Sequence, residues 1–242
     1  MPVNSNVKAV EKPAVSLPAK RGRLIYPINQ APEDPMLTSS WNRCWSGIEA
    51  QGDGVALMQR LVSAYQEPQR KYHTLQHLSE CLMLLSQHRG LAVEPDEVEM
   101  ALWFHDAIYD VMAHDNEVRS AEWAARELSD AGVPAARIER VVQHILATRH
   151  SVLPEGRDQE LLVDIDLAIL GAERLRFQAF ERQVREEYAW VPEPLFRQKR
   201  AEVLEGFLGR PQLYKTAALR EALEAQARVN LADAIAVLRG VG

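Results

Sequence analysis

Cysteine is scarce in this chain: Cys44 and Cys81 are the only two among 242 residues. That excludes a disulfide framework, and neither has the close cysteine spacing of a structural zinc site, so both read as core thiols in a reducing compartment. Basic excess is also missing. With 28 Lys and Arg against 34 Asp and Glu, the formal charge is -6, which argues against a general nucleic-acid binder. No apolar run approaches the roughly 18 residues that span a bilayer, and the N-terminus lacks the apolar core of a secretory signal. The expectation is a cytoplasmic protein with no membrane and no nucleic-acid partner. Alternating β-branched runs between turn signals are absent too, which excludes a predominantly β fold.

What is present is helical periodicity over an ordinary globular composition, 47% hydrophobic and 26% charged,. Residues 1–36 stand apart: they hold Pro2, Pro13, Pro18, Pro27, Pro32 and Pro35 with few large apolar groups. Such a segment buries too little surface to offset its ordering, and is expected to be a disordered or loosely docked leader. From 37 to 242 a single all-α domain with short connections is expected. Leu75, Leu78, Leu82 and Leu85 form one stripe on a helix ending near Arg89-Gly90. Asp115 is a candidate N-cap for a helix running through Trp123 and Leu128 to Gly132, and Pro134 suits the first turn of the next. Further helices are expected over about 159–170, 173–188, 194–208 and 218–238,. Most of the five dispersed tryptophans read as core, with Trp103 and Tyr109, which flank the His-Asp pair, placed to border a ligand,.

Two helical stretches carry acids in apolar settings, Ala101-Leu102-Trp103-Phe104-His105-Asp106-Ala107-Ile108-Tyr109 and Leu161-Leu162-Val163-Asp164-Ile165-Asp166-Leu167-Ala168-Ile169-Leu170. Neither contains a Lys or Arg, and a buried carboxylate is costly without a positive partner. A divalent cation held jointly by His and Asp is the economical answer. His73 and His77 lie four apart, with His73 just before or at a helix start and His77 within the helix, so His77 is the better ligand candidate. His105 and Asp106 diverge by roughly 100° on a helix yet can meet one ion between two helices. An Asp from the later helix, Asp164 or Asp166, closes a His2Asp2 set. Ligands without thiolate suit Mn, Fe, Co, Ni or Zn. His144, Thr148, Arg149 and His150 are candidates to line the pocket or form a second metal site. Arg70, Arg149, Lys199 and Arg200 are candidate phosphate clamps, since guanidinium in particular matches phosphate oxygens.

The wording of these segments resembles a known family, the HD superfamily of metal-dependent phosphohydrolases. Arg70-x-Tyr72-His73-x3-His77, Trp103-Phe104-His105-Asp106-Ala107-Ile108-Tyr109-Asp110, Asp115-Asn116-Glu117-x2-Ser120-Ala121 and Asp164-x-Asp166-Leu167-Ala168-Ile169-Leu170-Gly171 look like a bacterial subgroup of predicted HD phosphohydrolases. The likeness continues through Arg185-Glu186-Glu187-Tyr188 and Arg200, leaving out only the leader. It implies an HD-type helical bundle with His77, His105, Asp106 and Asp166 as metal ligands, Asp166 being preferred because Leu167 follows it. By similarity to the cyclic-nucleotide phosphodiesterases of the same superfamily, His73 becomes the general acid. The implied activity is hydrolysis of a phosphate ester or anhydride in a small nucleotide-like substrate, by metal-activated water that Asp106 or Asp164 orients. Many binuclear HD proteins carry a further His where this chain has Asn116-Glu117, so one tightly held ion is expected. The alternatives are a non-catalytic nucleotide-binding regulatory module on the same fold, or another HD chemistry such as hydration or di-iron oxygenation.

Overall fold

Apolar residues spaced at three and four give a run of amphipathic helices that must bury their stripes against one another. A computed structural model of the chain describes residues 34–150 and 153–240, and among them the regular structure is helical throughout. Its α-helices are α1 (Pro35–Gly47), α2 (Val55–Tyr65), α3 (Leu75–His88), α4 (Pro95–Phe104), α5 (Asn116–Asp130), α6 (Ala135–Ala147), α7 (Arg157–Asp166), α8 (Arg174–Glu187), α9 (Glu193–Leu208) and α10 (Ala217–Arg239). The expected all-α architecture is therefore present. No helix among the described residues is long and apolar enough to cross a membrane.

Local chemistry explains most ends. Asp34 caps α1 by accepting from Met36 N at 2.8 Å, with Pro35 in the first turn,. The expected leader thus loses its last residues to α1, while 1–33 lie outside the described residues. Thr74 caps α3, accepting from Gln76 N at 3.3 Å. Asp115 occupies the cap position of α5, but its side chain makes no capping bond. Asn116 fixes that corner instead, accepting from Asp110 N at 3.1 Å and donating to Asp110 O at 2.9 Å. The helix expected over 159–170 divides: α7 stops at Asp166 and a 3₁₀ turn, Leu167–Gly171, follows. Gly171 lets α10 approach closely, because a Cβ there would sit 2.8 Å from the carbonyl oxygen of Leu223,.

Helix α4 is the centre of the bundle, packed against α1, α3, α5, α6 and α7 and buried from Glu97 to Phe104. Trp103 meets the edge of Trp41, which stacks on Trp45, both at 5.2 Å between centroids,. Glu97 and Glu99 are fully buried within this helix. Each has two arginines: Arg137 and Arg140 hold Glu97, and Arg43 and Arg89 hold Glu99. Ser40 adds a 2.6 Å bond to Glu99. A buried acid paired in this way is tolerated, whereas removing one partner costs roughly 3–5 kcal/mol.

Candidate metal centre

Three segments bring the site together. The turn between α2 and α3 presents Tyr72 and His73, and α3 carries His77 on its buried face. His105 and Asp106 lie just past the end of α4, in a turn rather than inside a helix. Asp166 is the last residue of α7.

Arg70 ties two of these segments together. Its buried guanidinium donates to the carbonyls of His73 at 3.3 Å, Asp106 at 2.5 Å and Ala107 at 2.9 Å, and to Glu67 at 3.0 Å. It satisfies carbonyls at the end of α4 and so has no free fork for a phosphate, contrary to its expected role as a clamp.

At the centre, His77 Nε2 lies 3.1 Å from His105 Nε2, 3.1 Å from Asp166 Oδ1 and 3.5 Å from Asp106 Oδ2. His105 Nε2 is 3.0 Å from Asp106 Oδ2 and 3.5 Å from Asp166 Oδ1. Donor atoms around a cation at about 2.1 Å stand roughly 3 to 3.5 Å apart, so this spacing fits a coordination shell. The imidazoles are already oriented for it. His105 Nδ1–H donates to the carbonyl of Leu102 at 2.8 Å, which turns Nε2 toward the cluster, and Tyr72 Oη lies 3.0 Å from His77 Nδ1,.

Cys81 is the member of the cluster that sequence reading missed. His77, Cys81, His105 and Asp166 offer ligand atoms within 4.8 Å of one another, and this buried group could hold a metal ion. Cys81 sits one turn after His77, and that four-residue spacing was the available signal. Its Sγ lies 3.8 Å from both ring nitrogens of His77, beside the ring and out of line with its lone pair. Burial pushes the thiol well above its usual range, and the charges of Asp166 and Asp106 push the same way.

The electrostatics of the four-residue cluster are shared. Burial disfavours the charged forms of Asp106 and Asp166, yet the imidazoles hold both below the usual carboxylate range. Burial also lowers His105, and this is outweighed by Asp106 and Asp166, which leave it well above the ordinary histidine value.

His150 returns over this centre from a left-handed backbone conformation, φ 54°. Its Nε2 lies 3.0 Å from Asp166 Oδ2, leaving Oδ1 for the cluster. It was expected among substrate-binding residues and is placed as Asp166's partner, at the cleft wall. Asp164 faces elsewhere: fully buried, it accepts from Lys215 N at 2.9 Å and Thr216 N at 2.5 Å, just ahead of α10. It is not among the residues of the cluster or its cleft, so the expectation that it orients a water is not met.

Glu187, at the end of α8, organises the other edge. Oε1 accepts from the backbone N–H groups of Lys71 (2.8 Å), Tyr72 (2.8 Å) and His73 (3.0 Å). Oε2 accepts from Tyr109 Oη at 3.1 Å and from His73 Nδ1 at 2.9 Å. The His73 ring also stacks on Tyr109, 4.0 Å between centroids. Burial favours the neutral carboxyl, but His73 and the backbone donors overcome it and bring Glu187 down to about 2. Burial likewise lowers His73, and Asp106 and Glu187 raise it above the usual histidine value. With Nδ1 so engaged, Nε2 is the nitrogen left for the cleft.

That cleft has a volume of about 490 Å³ and is lined by His73, Asp106, Tyr109, Thr148, Arg149, His150, Asp166 and Arg200 among others. Its size suits a small molecule. Thr148 donates its hydroxyl back to Ile145 O at 2.7 Å. Arg149 is exposed and forms no ion pair among the described residues. Arg200 is paired with Glu181, and Lys199 lies outside the cleft, paired with Glu202 at 2.8 Å. His144 is buried apart from the centre with both ring nitrogens lacking a hydrogen-bond partner. Of the residues expected to bind phosphate, Arg149 is the one whose guanidinium at the cleft has no ion-pair partner among the described residues.

Fold and site together give a chain whose described residues fold into helices around a buried His/Cys/Asp cluster that could hold a metal ion, with Asp166 of that cluster also lining the cleft. No family model, curated protein or solved structure matches this chain.

Proposed function

We propose that this chain is a metal-dependent hydrolase of phosphate esters or anhydrides, with one divalent transition-metal ion held by His77, His105, Asp106 and Asp166. The observation that carries the reading is that His77 Nε2 and His105 Nε2, 3.1 Å apart, each lie 3.0 to 3.5 Å from a carboxylate oxygen of both Asp106 and Asp166, beneath a cleft that His73 also lines. Manganese, iron, cobalt, nickel and zinc all accept such a nitrogen and oxygen set. When bound, the ion supplies an electrophile for a phosphoryl oxygen and a water acidic enough to attack at neutral pH.

The chain's own groups provide the rest. Asp106 and Asp166, only 17% and 12% exposed as side chains, hold negative charge where water is sparse. His150 keeps Asp166 from rotating. Glu187 accepts the Nδ1 proton of His73, so the protonated ring can deliver its Nε2 proton to a departing oxygen,. Arg149 at the cleft offers charge to the substrate.

The test is metal content per chain, by elemental mass spectrometry, on full-length protein purified without chelator or metal-binding tag, together with phosphate release from a substrate panel. One ion per chain and turnover are expected, both lost in His105→Ala and Asp106→Ala while far-UV circular dichroism stays helical. Failure to hold metal after reconstitution, or hydrolysis surviving both substitutions, overturns the reading.

A further inference from the structure

The cleft has two unlike walls. One, from the turns after α2, α4 and α6 and the first turn of α5, carries His73, Tyr109, Asn116, Glu117 and Arg149. The other, from the 3₁₀ turn with α8 and α9, is built of Leu170, Phe180, Val184, Val203, Leu204 and Phe207. Leu170, Phe180, Val184 and Leu204 are buried against the core, which makes this wall part of the packed interior.

The one guanidinium on the apolar wall is already committed. Arg200 bonds Glu181 through Nε at 3.3 Å and Nη2 at 2.5 Å, and its guanidinium lies over the ring of Phe180, 5.0 Å from the centroid. Its charge is neutralised and its plane occupied. A nucleobase is read by hydrogen bonds to its edges, and the Leu, Val and Phe side chains of this wall offer none, leaving the phenol of Tyr188 at the end of α8 as the polar group beside Arg200 on this side,. An alkyl or aryl group, by contrast, loses nothing on leaving water for this surface.

We infer that the substrate is a phosphate ester whose leaving group is alkyl or aryl, lying along this wall with its phosphoryl group toward Asp106 and Asp166. This deepens the phosphohydrolase reading and rests on it. In the step, the ester P–O bond breaks as a P–O bond to water forms. The leaving oxygen takes the proton from His73 Nε2, and the attacking water gives up one proton to solvent, from which His73 is reprotonated for the next turnover.

The experiment uses the full chain, stripped with chelator and reconstituted with Mn2+, on methyl, butyl, hexyl and phenyl phosphate against AMP and UMP. From methyl to hexyl, kcat/KM should climb by about two- to fourfold per methylene, the value for burying that group. Hexyl and phenyl phosphate should exceed both nucleotides by at least about tenfold. A flat response to chain length, or nucleotides cleaved as well as hexyl phosphate, overturns the inference.

Val203→Asn and Phe207→Asn, at partly exposed positions of the wall, should each collapse the hexyl-to-methyl ratio. The same change at Val229, exposed on α10 and away from the cleft, should leave it as it was. If no compound turns over, the hydrolase reading fails, and calorimetric binding of hexylphosphonate and AMP then decides the wall by itself. Tighter hexylphosphonate upholds an apolar subsite, and equal or tighter AMP refutes it.

Discussion

Replacing Glu187 by glutamine keeps the volume of the side chain and an oxygen for the N–H groups of Lys71, Tyr72 and His73, while removing the charge that His73 and Tyr109 face. The cost follows from the carboxyl's ionisation, which moves from 4.5 to about 2 on folding. A group depressed in this way stabilises the folded form above its unfolded value, and that stability is lost as pH falls from 4.5 toward 2. The difference corresponds to about 3 kcal/mol at pH 7 and about half of that at pH 3, taking the amide as a stand-in for the protonated acid. Urea denaturation of chelator-treated protein, followed by far-UV circular dichroism, should show Glu187→Gln weaker by that amount at pH 7, with the gap narrowing at pH 3. A difference below about 1 kcal/mol at pH 7, or one that does not change with pH, refutes the claim that this carboxylate is held ionised by the His73 turn.

Two other substitutions probe buried groups. His144 has no partner for either nitrogen, and burial lowers it from 6.5 despite the charges of Asp158 and Glu97, with Arg140 adding to the lowering. Its folded form resists protonation, so stability falls as pH drops below 6.5. His144→Leu should remove that dependence and be at least as stable as the parent at pH 7.5, as read by urea midpoints at pH 7.5 and 5.5. Asp164→Asn should cost about 1–2 kcal/mol by loosening the start of α10, while metal content and turnover persist. Loss of metal in Asp164→Asn with a native melting curve would put Asp164 back at the centre.

The helices were legible because their stripes are local. Leu78, Leu82 and Leu85 are buried as their spacing requires. Boundaries set by distant groups were not. Helix α4 stops at Phe104 without a glycine or proline, and the carbonyls beyond it are taken by Arg70, more than thirty residues earlier in the chain. The role of Glu187 was hidden for the same reason, since its partners lie in the 71–73 turn and at Tyr109. At roughly 100° per residue, Asp164 and Asp166 project from nearly opposite sides of α7, so both could not have faced one ion. Which of them faces the His cluster depends on Lys215 and Thr216, whose N–H groups claim Asp164.

The acids in the interior of this protein differ in what neutralises them. Glu97 and Glu99 are each gripped by two arginines, which stay protonated at any pH the fold survives,. Asp164 is satisfied by backbone N–H groups. Asp106 and Asp166 face only imidazoles: His77 and His105 for both, with His150 on the second oxygen of Asp166. The nearby guanidinium of Arg70 is spent on carbonyls. An arginine cannot give up its charge, whereas an imidazole can release a proton and turn the same nitrogen's lone pair toward a cation. Glu97, Glu99 and Asp164 therefore carry fixed partners, whereas Glu187 combines backbone N–H donors and Tyr109 with the His73 imidazole. The two at the floor of the cleft carry partners that can exchange protons for a metal ion, and that chemical difference distinguishes the site from the salt bridges around it.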